Sequence, residues 1–249
     1  MKNSNYIGLI LAAGRGSRLK NLTNNKPKSF LTINKKKLIE FIIDNFFKNF
    51  IDKIYVIIGY KKKLFKDFKN IKSIENKIWN KSNIVGSLIA ADKIMSNNNT
   101  IISYSDIFYD ETAIKNIITY EKKNFDIIIL NNTKWKKYWK KRFKDPLIDL
   151  ETFKLKKKYV YEIGNKPKSY KDIEGQFMGI FAFKRKSWLK IKKIIIKDIN
   201  NFIRMDITTF FNYLIKFHKI RILSLDYNSY WYEVDNKKDY KILKNSIEK

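Results

Sequence analysis

Residues 7–18, Ile-Gly-Leu-Ile-Leu-Ala-Ala-Gly-Arg-Gly-Ser-Arg, change character abruptly at Gly14. The small and branched apolar run from Ile7 to Ala13 reads as a buried strand, and it is too short to cross a bilayer. Gly14 and Gly16 let the backbone turn sharply and bring its N–H groups close to a ligand. Arg15 and Arg18 set fixed positive charge beside those donors. Further on, Pro27 fixes the chain locally ahead of Lys28. A polyphosphate cradle and an ordinary tight turn both fit this pattern. The third glycine of the dinucleotide fingerprint is absent, and so is the Gly-Lys-Ser/Thr ending of a P-loop.

Beyond this turn, helix-period and strand-like segments alternate. Leu38 to Phe50 has apolar residues at helical spacing, Ile54 to Ile58 is a short apolar strand, and Leu64 to Phe68 begins another helix. Ile84 to Met95 is helical, Thr100 to Tyr104 a strand, Ala113 to Lys122 a helix and Asp126 to Asn131 a strand. The alternation predicts an α/β domain with a largely parallel sheet and right-handed crossovers. After Trp135 the chain turns aromatic and basic. Leu155 to Ile163 and Met178 to Phe183 read as strands, Ser187 to Ile196 and Thr208 to Phe217 as helices, Ile220 to Asp226 as a strand, and Asp239 to Ile247 as a closing helix. With 249 residues and no linker, one domain is expected, with residues 1–132 as one half and 133–249 as the other.

Composition narrows the chemistry. Without cysteine and with a single histidine, any metal must be held by carboxylates, which favours Mg2+. The formal charge of +29 invites a nucleic-acid reading, but the lysines are scattered along the whole chain. They read as solvated surface that draws in anionic substrates, with no specific nucleic-acid partner. The start, MKNSNY, has no leader-like apolar region, and no stretch reaches membrane-span length, so a cytoplasmic protein without membrane insertion is expected.

Asp106 lies just beyond the predicted strand Thr100 to Tyr104, at the strand end where open α/β sheets bind ligands. It either caps a turn or meets a ligand held by the first loop. Strand alternation puts Glu233 and Asp235 on one face of Trp231 to Asp235, where they repel unless a cation or donor sits between them; a solvated strand edge is the other reading. Trp139, Arg142, Asp145, Glu174, Gln176 and Trp231 combine aromatic faces with carboxylates. That suits an ammonium group, with Arg142 free to hold a phosphate. For each tryptophan alone, core packing from a basic amphipathic helix is the preferred reading. Asn83 begins the helix before Asp106 and caps it or faces a ligand.

Leu11-Ala12-Ala13-Gly14-Arg15-Gly16-Ser17-Arg18-Leu19, followed by Pro27-Lys28, resembles the signature of the nucleotidyltransferases that activate sugar phosphates and phosphocholine. The resemblance implies a Rossmann-like, mostly parallel sheet flanked by helices, with a small inserted substrate-binding subregion. It implies that residues 11–18 hold a nucleoside triphosphate and that Arg15 and Lys28 act on the phosphates around the bond that breaks. Asn83, Ser87 and Ser105 would lie near the nucleotide, and Asp106 and Asp235, with Glu233, would hold Mg2+. Trp139-x-x-Arg142, Asp145-Pro146-Leu147-x-Asp149, Glu174-x-Gln176-x-x-Gly179 and Ser103-Tyr104-Ser105-Asp106 resemble the cytidylyltransferase branch. That branch joins CTP to phosphocholine, 2-aminoethylphosphonate or phosphoglutamine. Acceptor contacts are then expected from Trp139, Arg142, Asp145, Glu174, Gln176 and Trp231, and a homodimer is compatible. A sugar-1-phosphate nucleotidyltransferase is the alternative enzyme; a nucleic-acid-binding protein is the alternative of another class.

Overall fold

The computed structural model describes residues 5–247. The first four residues of the leader-free start expected above lie outside them. In chain order come β1 (Tyr6–Ala12), two short strands β2 (Thr32–Ile33) and β3 (Lys36–Lys37), α1 (Leu38–Lys48), β4 (Ile54–Ile58) and β5 (Lys72–Glu75). Next are α2 (Ile84–Ala90), α3 (Asp92–Met95), β6 (Asn99–Tyr104), β7 (Ile107–Tyr109), α4 (Thr112–Thr119), β8 (Ile127–Asn132) and α5 (Trp135–Arg142). The hairpin β9 (Phe153–Lys156) and β10 (Tyr159–Ile163) precedes β11 (Gln176–Phe183), α6 (Arg185–Lys197), α7 (Ile199–Phe202) and α8 (Ile207–His218). The chain closes with β12 (Ile222–Tyr227), β13 (Trp231–Glu233) and α9 (Lys237–Ile247).

A nine-stranded sheet runs through both halves in the order β5-β4-β1-β6-β11-β8-β12-β10-β9. β11 and β10 oppose the other strands, so the sheet is mixed but mostly parallel. Both faces are covered, which is why β1 reads as an unbroken apolar run. Its Ile10 and Ala12 pack on the α1 and α4 side with Phe46 and Ile114. Its Leu9 and Leu11 pack on the other side with Leu88, Trp188 and Phe211. Phe46 is fully buried and lies so close over β1 that a Cβ at Gly8 would meet its ring at 3.0 Å.

Two expected helices differ in form. Leu64 to Phe68 belongs to a 3-10 helix, Lys62–Asp67, and Ile84 to Met95 breaks at Ala91 into α2 and α3. The strands β5 and β7 carry no clear period and were not expected. β7 matters most. It pairs with β13 in a separate two-stranded ribbon, Ile107 opposite Glu233 and Trp231 opposite Tyr109. The Val234 amide adds a bond to the Asp106 carbonyl, 2.9 Å. This ribbon carries the end of the chain back to the carboxyl ends of β1 and β6. No helix among the described residues is long and apolar enough to cross a membrane.

Candidate active site

The bend after β1 is held from within. Gly16 adopts φ 75°, a left-handed conformation open to glycine, and a Cβ there would meet the Lys28 side chain at 2.8 Å. The Thr23 hydroxyl donates to the Gly16 carbonyl, 3.0 Å, and the Tyr60 amide donates to that of Ala13, 2.9 Å. Leu11, Ala12 and Ala13 are buried, so only their backbone can serve a ligand. Gly14, Arg15, Ser17 and Arg18 are exposed, and a Cβ at Gly14 would meet nothing within 4 Å. Arg15 reaches the Asn24 side chain at 3.1 Å and lies over the Tyr60 ring.

Lys28 leaves Pro27 at the start of a short 3-10 helix and points under the bend. Its ammonium bridges Asp106 and Asp235, with Asp235 Oδ1 at 2.9 Å. Burial alone would discharge Lys28, but the two carboxylates outweigh it and push its pKa up. Burial also opposes the Asp235 charge, yet Lys28, Arg18 and Arg142 hold its carboxyl below the ordinary range. Arg18 lies 3.2 Å from Asp235. The other Asp106 oxygen, Oδ1, is buried with no hydrogen-bond partner.

Two carboxylates already sharing one cation, one with an unused buried oxygen, suit a hard divalent ion. Such an ion completes its shell with waters and phosphate oxygens. Among the described residues no group of three or more acidic or histidine side chains is set to hold a metal alone. Glu233 stands close to these groups, and its carboxylate pairs with Arg142 at 3.3 Å. Burial and the Asp235 charge raise its pKa in spite of that pairing.

Beside these groups opens a cavity of about 380 Å³. Tyr104, Trp139, Phe177 and Trp231 supply its aromatic walls, and Asp149, Glu151, Asp206, Glu233 and Asp235 its carboxylates. Trp139 and Trp231 stack, with centroids 5.7 Å apart and planes 13° from parallel. Burial, helped by Asp206 and Asp149, raises the Glu151 carboxyl above its ordinary value. Gln176 lines the same cavity, its side-chain amide bonded to the Glu151 carbonyl at 2.8 Å. A second cavity of about 460 Å³ is lined by Lys134, Lys137, Tyr138, Lys141 and Trp231, and Asp106 is not part of its lining.

Of the residues singled out in the sequence, the fold brings together Arg18, Lys28, Asp106, Glu233, Asp235, Trp139, Gln176 and Trp231. Asn83 caps α2 by accepting from the Ile84 amide, 2.8 Å, and also lines the cavity. Ser105 is buried beside Asp106. Ser87 is buried inside α2, where its hydroxyl accepts from Asn76 at 3.3 Å. Asp145 and Glu174 stand outside the cavity: Asp145 accepts from the Leu147 amide at 3.0 Å, and Glu174 from the Leu155 amide at 2.9 Å. The Arg142 side chain is 1% exposed and wholly engaged by carboxylates. Glu151 and Asp206 were missed, and Tyr104 and Asp149 had entered only as members of quoted motifs. Asp206 had a signal, since Asp-Ile-Thr-Thr before an apolar run is a helix N-cap pattern; nothing marks Glu151.

A family model described as "Nucleotidyl transferase" matches residues 7–249. The chain belongs to that family. Among its relatives, the CTP:phosphoglutamine cytidylyltransferase of Campylobacter jejuni is 32% identical over 94% of this chain and 97% of its own length. Two solved structures share the fold. The inositol-1-phosphate CTP transferase from T. maritima aligns with TM-score 0.75 and 16% identity over 100% of this chain and 98% of its own. The CTP:phosphocholine cytidylyltransferase from Streptococcus pneumoniae aligns with TM-score 0.71 and 18% identity over 98% and 99%.

Proposed function

We propose that this nucleotidyltransferase is a Mg2+-dependent cytidylyltransferase, joining CMP from CTP to a small amino-bearing phosphate or phosphonate, with phosphoglutamine the favoured acceptor. The observation that carries the reading is the convergence of Lys28, Asp106 and Asp235 beneath the glycine bend, beside a cavity walled by aromatic rings and carboxylates. A cationic amine gains from ring faces and from negative charge, whereas a sugar needs neutral hydrogen bonding. The C. jejuni relative, aligned over nearly its whole length, supports both the base and the acceptor class.

In the reaction an acceptor oxygen attacks the α-phosphorus, the α–β bridging P–O bond breaks, and pyrophosphate leaves. The nucleophile is already an anion, so no general base and no covalent enzyme intermediate are needed. The chain's part is positioning and charge neutralisation. The exposed amides of the bend and Arg15 take the triphosphate. Lys28, kept charged by its two carboxylates, serves the α-phosphate and the incoming oxygen. Asp106 and Asp235 would hold Mg2+, which when bound polarises the α-phosphate and offsets repulsion between two anions.

Pyrophosphate release across the four nucleoside triphosphates with Mg2+, crossed with phosphoglutamine, 2-aminoethylphosphonate, phosphocholine and glucose 1-phosphate, tests the reading. CTP with an amino-bearing acceptor is expected to exceed every other pair. Preference for glucose 1-phosphate would overturn the acceptor assignment, and preference for another triphosphate the base.

A further inference from the structure

Arg142 is a buried cation with four carboxylates around it. Asp239, itself 1% exposed, takes its Nε at 2.9 Å and its Nη2 at 3.1 Å. Nη1 faces Glu233 at 3.3 Å and Asp149 at 3.6 Å, and Nη2 also faces Asp235 Oδ2 at 3.6 Å. The fork hydrogen-bonds to Asp239 and Glu233, and two longer ion-pair arms leave the same planar guanidinium, at 3.6 Å each, toward Asp235 and Asp149. One arm ends on Asp235, whose other oxygen is shared by Lys28 and Arg18. The other ends on Asp149, which accepts the Trp139 indole N–H at 2.9 Å while Trp139 stacks on Trp231. Asp239 locks the same junction from the backbone side, accepting from the Asp235 and Asn236 amides at 3.2 and 3.3 Å. Surrounded by four carboxylates and 1% exposed, Arg142 is not available to a phosphate, against the expectation from the sequence.

We propose that Arg142, anchored by Asp239, is a positioning residue that fixes the metal-holding carboxylate Asp235 and the acceptor wall Trp139–Trp231 to one rigid point, so that the two are set in register. The inference rests on Asp235 holding the divalent ion. A fork with five donors can hold several carboxylates in fixed relative positions, which a lysine ammonium cannot. Groups that orient a metal-holding side chain from behind typically change metal affinity by about 10–100-fold when replaced.

The test uses the full chain with Mn2+ as probe, its binding followed by electron paramagnetic resonance with CTP present. Asp239→Asn keeps the anchor's size but removes its charge, and Arg142→Lys keeps the charge but loses the fork. Each is expected to weaken Mn2+ binding by about 10–100-fold, with a smaller change in CTP affinity. Unchanged Mn2+ affinity with a lowered melting temperature would overturn the proposal, because it marks the network as structural only. Asp149→Asn, at the partly exposed end, keeps the question open to measurement if the buried variants do not fold. With phosphoglutamine as probe acceptor it is expected to raise the acceptor KM about tenfold, in the range such supporting groups show, and more than it lowers kcat. An unchanged KM overturns the acceptor arm. Failure of the cytidylyltransferase reading would show in the wild type, as no pyrophosphate release from CTP, and Mn2+ binding could then be followed with each of the other triphosphates.

Discussion

Between Ala13 and Lys28 the working groups are close together in sequence, and its arginines face solvent with one or two polar contacts each. Around Trp139 and Trp231 the arrangement is the reverse. Residues from α5, the segment after it, β11, the start of α8 and β13 meet, and their polar atoms are mostly committed to one another. The glycine bend is exposed and lightly tethered, its Arg15 bonded to the Asn24 side chain and its Arg18 to Asp235, so the proposed phosphate side keeps its cations within reach of solvent. The proposed acceptor side is a shaped cavity, and a buried polar group there must be paired before any ligand arrives. A loop ready for a polyanion can be short and local; a cavity for a small molecule needs several elements already packed.

The largest effect expected from this contrast is at the point where the two sides touch. Lys28→Ala removes the cation between Asp106 and Asp235, and turnover should fall by about 100–1,000-fold, the scale of losing one preorganised charge-stabilising group. The KM for CTP should change far less, since most of the triphosphate's contacts are proposed to come from the bend. Steady-state pyrophosphate release checks this, and equal losses in kcat and CTP binding would place Lys28 among the ground-state contacts. Next comes Asp106→Asn. It removes the charge of the carboxylate that carries the unpartnered Oδ1. Activity should drop by about 100-fold or more, with the half-saturating Mg2+ concentration raised, and chelation by EDTA should silence the wild type reversibly. Activity that survives EDTA would take the divalent ion out of the scheme.

An intermediate effect isolates the phosphate side. Arg15 is exposed, with one hydrogen bond to Asn24 and a ring contact to Tyr60. Arg15→Ala should leave stability within about 0.5 kcal/mol and lower kcat/KM for CTP by about 10–100-fold, the loss of one charge-assisted phosphate contact. Thermal melts beside initial rates separate the two, and a large stability loss would contradict the exposed, lightly tethered loop.

The same contrast explains what the sequence could reveal. β1, α1, β4, β6, β8 and β11 were legible because burial on two faces, or one helical stripe, leaves a periodic apolar trace. The bend was legible because Gly14 to Arg18 and Pro27-Lys28 lie within one short segment. The Asp106–Asp235 pairing needed the family resemblance, since the β7–β13 ribbon that creates it consists of two three-residue strands without a period of their own. Arg142 was the hardest to place. A sequence shows that an arginine follows Trp139 at helical spacing, but not that Asp239, nearly a hundred positions later, closes on it. Glu151 is a single carboxylate in irregular chain, and it joins the cavity lining through its neighbours on β11 and at the start of α8.

Asp145 and Glu174 test the contrast with the smallest expected effect and with the opposite sign of expectation. Both are acidic, both stand in the stretches that resemble the cytidylyltransferase branch, and both use a carboxylate oxygen on a neighbouring amide outside the cavity. A carboxylate that caps a backbone N–H contributes about 1 kcal/mol to local order, and that contribution is indifferent to which acceptor is bound. Asp145→Ala and Glu174→Ala should therefore lower the unfolding free energy by about that amount while leaving the acceptor KM nearly unmoved, as measured by urea titration and by acceptor saturation curves. A strong rise in acceptor KM at either position, without loss of stability, would mean that the carboxylate leaves its amide when the acceptor enters. The acceptor side would then share the lightly tethered, exchangeable pairing of the glycine bend.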